Sequence, residues 1–214
     1  MKLFGLNQKI YTPIHEIAIQ SPKKFEETIK GFREVSPFPL YSIEHAVASE
    51  ESKYTKYANT CAILGMSNGK KTYLGHYAPE NHYADFKNKL ERDVKKMQDE
   101  TGELSAFITG GYNCGAHGDK TASESFTQLA EIGEVLDKAG ARITMIAGKR
   151  EPVFKDNVAV TPDRFIFSQS PNRVGFDPVP KFNLCKTKAE IEDIGYRNYG
   201  ISEIDEAHNI YFEG

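Results

Sequence analysis

Tryptophan is missing from this chain of 214 residues, and cysteine occurs only three times. Three scattered cysteines do not make a disulfide framework, which excludes the small disulfide-stapled folds and suits a reducing place of action. Long apolar runs are missing too: no stretch approaches the roughly 20 residues that a membrane-spanning helix needs. The N-terminal segment MKLFGLNQKIYTPIHEIAIQ offers only a short, broken apolar run, too weak for a secretory signal. The expected location is therefore the cytosol, or a host cytosol reached without a cleaved signal. An excess of one charge is lacking as well. With 27 basic and 30 acidic side chains the formal charge is −3, so electrostatics give no reason to expect nucleic acid or an anionic membrane as partner. No repeat, low-complexity tract or linker divides the chain, and a single domain over residues 1–214 is expected.

What is present suffices for a core: 39% of residues are hydrophobic, and 11 Tyr and 13 Phe replace the missing tryptophan. Short apolar pieces around Ile17-Ala18-Ile19 suit an added strand or an edge cover. Ser21-Pro22 opens a helix, with Ser as cap and Pro at a position that tolerates it. Phe25, Ile29 and Phe32 form its buried stripe, and Ser36-Pro37-Phe38-Pro39 ends it. Residues 40–49 read as extended, and Glu50-Glu51-Ser52-Lys53 as a polar break. A long helix over 82–100 carries the stripe Tyr83, Phe86, Leu90, Val94, Met97. Leu104–Ile108 is a short strand, residues 122–139 a helix ended by Gly140, and Arg142–Ala147 a strand. Asn157–Thr161 and Arg164–Ser168 pair around Pro162-Asp163. Thr187–Glu190 is a capping box for a short helix. The polar tail after Gly200 is expected to add little to the core. Paired strands at both ends predict an α+β fold, a mostly antiparallel β-sandwich core flanked by helices.

The chemistry is organised around residues 55–76. Cys61-Ala62-Ile63-Leu64-Gly65-Met66 reads as a strand, and Asn68-Gly69 as a turn whose backbone accepts positive φ at both residues. Thr72-Tyr73-Leu74-Gly75-His76-Tyr77 then runs back antiparallel. Pairing brings Cys61 and His76 together although fifteen residues separate them. A thiol beside an imidazole is the minimum equipment for attack on an acyl or amide carbon. The same residues also suit a buried structural cysteine and an ordinary sheet histidine.

Residues 110–118, Gly-Gly-Tyr-Asn-Cys-Gly-Ala-His-Gly, offer a rival site. A strand, glycines and a helix start can cradle phosphate. However, Asp119 separates Gly118 from Lys120-Thr121 and the spacing is too short for a P-loop. Cys114 and His117 supply two metal ligands where a structural zinc site wants four. The plain alternative is a tight strand-to-helix connection.

The segment from Thr55 to about Ser168 resembles the chemoreceptor glutamine deamidase CheD, and is similar to the wider group of Cys-His deamidase toxins that includes the cytotoxic necrotizing factors. Thr55 precedes Cys61 by six residues, Cys61 opens the apolar strand Cys-Ala-Ile-Leu-Gly, and His76 stands in Gly-His-Tyr-Ala-Pro. The order of helix, glycine-ending strand, helix, strand and hairpin follows. The pair Asn59-Thr60 departs from the Gly-Ser usual before the family's cysteine. The resemblance implies a CheD-like core over about residues 50–170, with an N-terminal extension (1–49) and a C-terminal one (171–214). It implies a protein-glutamine deamidase, in a bacterial effector or toxin, acting through a Cys61 thioester. Its partner would be a protein substrate carrying the target glutamine. His76 would move protons, Thr55 would orient the imidazole, and no metal or organic cofactor would be needed. A transglutaminase, and a non-catalytic binding module on the same fold, are the alternatives.

Overall fold

In the computed structural model the described residues are 16–35, 46–58, 61–78, 85–98, 103–110, 131–145, 154–171 and 209–213. They form a mixed α+β structure with two sheets. One sheet has six strands, in spatial order β11 (Asn209–Glu213), β1 (Glu16–Gln20), β10 (Phe165–Pro171), β9 (Phe154–Val160), β4 (Lys53–Ala58) and β2 (Arg33–Glu34). The other has five: β3 (Ala46–Ser49), β6 (Thr72–Tyr77), β5 (Ala62–Ser67), β7 (Ser105–Gly110) and β8 (Arg142–Met145). The described helices are α1 (Pro22–Thr28), α2 (Phe86–Gln98) and α3 (residues 131–138).

Strand alternation sorts the apolar side chains into three layers of core. Between the sheets lie Ile63, Leu74 and Phe107 from one side and Ile17, Val158, Val160, Phe165 and Phe167 from the other. The opposite face of the five-stranded sheet, with Leu64, Met66, Tyr73 and Tyr77, is covered by Phe86, Leu90, Val94 and Met97 of α2 and by Ile132, Val135 and Leu136 of α3. The outer face of the six-stranded sheet puts Ala18, Ala159 and Ile166 under Phe25 and Ile29. Gly65 brings the sheets together, because a methyl there would lie 2.7 Å from Val160 Cγ2 and 3.4 Å from the Phe165 ring.

Several sequence expectations are met locally. Ser21 caps α1 by accepting from the Lys24 N–H, with Pro22 at the start. The stripe of α2 is buried from Phe86 to Met97, and Tyr83 lies outside the described residues. Gly140 stops α3 with φ +64. The hairpin around Pro162-Asp163 pairs Phe165 with Val160.

Others need correction. The first helix ends at Thr28, not near Ser36; Gly31 at φ +86 turns the chain so that Arg33–Glu34 runs alongside β4. The polar break hides β4, because the strand begins at Lys53. The tail contributes β11, which pairs in parallel along the whole of β1. Among the described residues antiparallel pairs are in the majority, as expected, five against four; the parallel pairs join β11 to β1, β1 to β10, β2 to β4 and β8 to β7. In the Ser67–Thr72 loop only Gly69 has positive φ, at +82. Asn68 acts through its side chain instead. Its Oδ1 accepts from the N–H groups of Lys70 (3.1 Å) and Lys71 (2.7 Å), and its Nδ2 donates to the Met97 carbonyl at the end of α2. The capping box at Thr187 lies outside the described residues.

Candidate active site

The register of β5 against β6 pairs Ala62 with Tyr77 and Ile63 with His76. Tyr73 and Tyr77 face the helices, so Leu74 and His76 face the other sheet. Cys61 stands one residue before β5, in phase with Ile63, and packs against the same inter-sheet core. Cys61 and His76 are thus on one face of the sheet, as diagonal neighbours. Thr55 comes from the opposite sheet. On β4, Lys53 and Thr55 are buried while Tyr54 and Lys56 are less so, which points Thr55 inward.

Thr55 Oγ1 lies 2.6 Å from His76 Nδ1. This hydrogen bond crosses between the sheets, with Thr55 fully buried and His76 only 5% exposed. Burial pushes the His76 pKa down to about 4, so the imidazole is neutral at pH 7. The second ring nitrogen, Nε2, is buried with no hydrogen-bond partner among the described residues, an uncommon condition for a buried polar atom and one that asks for an explanation. Cys61 is half-buried and in no disulfide. Among the described residues Nδ1 is engaged by Thr55 and Nε2 has no hydrogen-bond partner. As diagonal neighbours on paired strands, Cys61 and His76 would have backbones roughly 7–8 Å apart, a span that long side chains reach.

Two polar links run parallel to the Thr55–His76 link. Lys53 is fully buried, and its Nζ donates to Ser49 Oγ, the Glu51 carbonyl, and both the carbonyl and Oγ1 of Thr72. Burial lowers its pKa to about 8, opposed by the nearby Glu51 carboxylate. Thr109 Oγ1 donates to Asp156 Oδ2 at 2.9 Å. Thr109 is paired with Ile63 and Asp156 with Ala58, so this link also joins the sheets near Cys61. Neither link was legible in the sequence, because each joins residues 19 or 47 positions apart with no local pattern. A lysine facing a core also breaks the alternation by which β4 would be found.

Cys114, His117 and Cys185 lie outside the described residues. Among the described residues no three His, Cys, Asp or Glu side chains gather where they could hold a metal ion. No helix among them is long and apolar enough to cross a membrane. No model of a known protein family matches the chain, and no curated protein matches it significantly.

Proposed function

We propose that the chain is a protein-glutamine deamidase on a CheD-like β-sandwich, with Cys61 as nucleophile, His76 as acid–base and Thr55 as the residue that orients the ring. The observation that carries this reading is the buried Thr55–His76 hydrogen bond, which holds one imidazole nitrogen while the other has no partner among the described residues, on the face shared with Cys61.

The neutral state of His76 decides the form of the mechanism. A resting thiolate–imidazolium pair is disfavoured where burial holds the ring neutral. His76 instead works as a general base at the moment of attack. For Nε2 to take the Cys61 proton, Nδ1 must carry its hydrogen and donate it to Thr55 Oγ1. The sulfur then bonds to the glutamine carboxamide carbon, and backbone N–H groups, that of Cys61 among them, hold the oxyanion. Collapse breaks the C–N bond, and Nε2–H gives its proton to the departing ammonia. Water, deprotonated by the same nitrogen, cleaves the thioester to glutamate and restores the thiol. No step calls on a metal or organic cofactor. The substrate is a protein, in the chain's own cytosol or in that of a host reached as an effector.

A transglutaminase would share the thioester and differ in what captures it. Ammonia release from a glutamine-containing protein, measured with and without a primary amine, separates the two. Cys61-dependent release without amine supports deamidation. Release only with formation of an amine adduct supports transfer, and no release by the wild type overturns both.

A further inference from the structure

We infer that Lys53 is a positioning residue for His76: its ammonium group fixes how β4 crosses β6, and so holds Thr55 against the imidazole and makes the alignment of the ring depend on pH above neutrality. Its consequence for catalysis rests on the deamidase reading; the link between Lys53 and the ring does not.

Lys53 and Thr55 are consecutive inward positions of β4, and both are fully buried. Each bonds across the gap to the same opposing strand. Lys53 Nζ lies 2.6 Å from Thr72 Oγ1 and 3.1 Å from the Thr72 carbonyl, and Thr55 Oγ1 lies 2.6 Å from His76 Nδ1. One link between two strands leaves a pivot; two fix both their separation and their crossing angle. Leu74 stands between Thr72 and His76 on β6 and packs in the inter-sheet core. Apolar contact is non-directional and permits sliding that hydrogen bonds resist. Within its own sheet Thr55 is held from the Lys53 side. The pairing of β4 with β9 is regular from Lys53 to Thr55; a bulge at Lys56–Tyr57 then intervenes before Ala58 pairs with Asp156.

The Lys53 anchor depends on charge. Nζ also donates to Ser49 Oγ at 2.8 Å and to the Glu51 carbonyl at 2.9 Å, so four oxygens surround it. Both hydroxyls turn their own hydrogens elsewhere, Thr72 Oγ1 to the Glu51 carbonyl and Ser49 Oγ to Glu51 Oε2. An ammonium group brings three N–H donors to this cage. A neutral amine brings two, and a lone pair that faces oxygen. Burial lowers the Lys53 pKa to about 8. Two exposed charges face the cage: the Glu51 carboxylate opposes this shift, and the Arg33 guanidinium, 3.6 Å from Glu51, adds to it. Because the folded pKa lies below the unfolded value, the cost of burying the ammonium is present below pH 8 and is relieved as the pH rises through it. This group therefore does not unfold the chain as it loses its proton, and the loss of ring alignment is local.

The test reads the ring directly, by nitrogen NMR of the imidazole in Cys61→Ala, where no thiol titrates beside it. His76 stays neutral across the range, with its pKa at about 4. At pH 7 the signals should show Nδ1 carrying the hydrogen. From pH 7 to pH 9.5 they should move towards the average of the two neutral tautomers, with a midpoint near pH 8. Adding Lys53→Met, which keeps the stem and removes the ammonium, should give the averaged signals already at pH 7 and no change up to pH 9.5. With Cys61 present, Lys53→Met should lower kcat for ammonia release at pH 7 by at least about tenfold with little change in KM, since a misplacement of about 1 Å can cost about 100-fold in the chemical step. Signals that stay flat with pH while Lys53 is present overturn the inference, and this arm needs no Lys53 variant to fold. Unchanged signals or an unchanged kcat in a folded Lys53→Met overturn it as well. A wild type that releases no Cys61-dependent ammonia overturns the deamidase reading alone, and the imidazole signals still decide the link.

Discussion

Thr55 and His76 belong to different sheets, yet Thr55 Oγ1 and His76 Nδ1 are 2.6 Å apart with both side chains buried. Their hydrogen bond ties the ring that would move protons to the opposite wall of the core. If the hydroxyl orients the ring, Thr55→Ser should keep nearly wild-type kcat/KM. Thr55→Ala should lose about tenfold to a hundredfold, the usual cost of removing a group that positions a functional histidine. Steady-state ammonia assays on folded variants check this. Ser as damaged as Ala would remove the hydroxyl from the mechanism.

Cys61 should not behave as a preformed thiolate. With His76 neutral there is no imidazolium to stabilise one at pH 7. The rate of iodoacetamide alkylation at Cys61, followed by peptide mass spectrometry, should rise steadily between pH 6 and pH 9 instead of staying flat. A flat profile would mean that the imidazole is charged in the resting protein.

Acid should expose the cost of burying the imidazole. The folded pKa of about 4 lies below the value near 6.5 expected in the unfolded chain, so the unfolded state binds the proton first. Stability is thus fully present above about pH 6.5 and falls as the pH drops towards 4, by about 3 kcal/mol from this group. Urea unfolding at pH 7.5 and pH 4.5 should show a larger loss for the wild type than for His76→Gln. Equal losses would place the ring in a more solvated site.

The distance between the sheets depends on Gly65. A methyl at this position would meet Val160 Cγ2 at 2.7 Å, so Gly65→Ala should destabilise by about 1–3 kcal/mol, as overpacked cores do. It should also weaken the Thr55–His76 link, because both contacts span the same gap. Denaturant unfolding, together with the histidine Nδ1 chemical shift, checks both effects. A stable variant with an unchanged shift would mean that the sheets yield without moving the ring.

The hairpin of Cys61 and His76 was legible because alternation and an Asn-Gly turn are local signals, and the pairing of Ile63 with His76 follows from them. The stripe of α2 was legible for the same reason. What escaped was whatever depends on partners distant in sequence. β4 begins with a lysine whose burial is acceptable only because Ser49, Glu51 and Thr72 gather around its Nζ. β11 looks like a polar tail until β1 supplies its backbone partners. The bulge at Tyr57 needs the Asn157 side chain, 100 residues away. The lowered pKa of His76 is likewise a property of packing, since burial by distant segments is its cause.

As proposed, Cys61 converts protein-bound glutamine to glutamate with His76 as its proton carrier. Mass spectrometry of lysate proteins incubated with wild type, Cys61→Ser and His76→Ala tests it most directly. The wild type should convert particular glutamines to glutamate, and both variants should fall at least about 10³-fold below it, with no further loss in the double variant because the two residues act as a unit. Glutamines left unconverted by the wild type, or converted equally by Cys61→Ser, would contradict it.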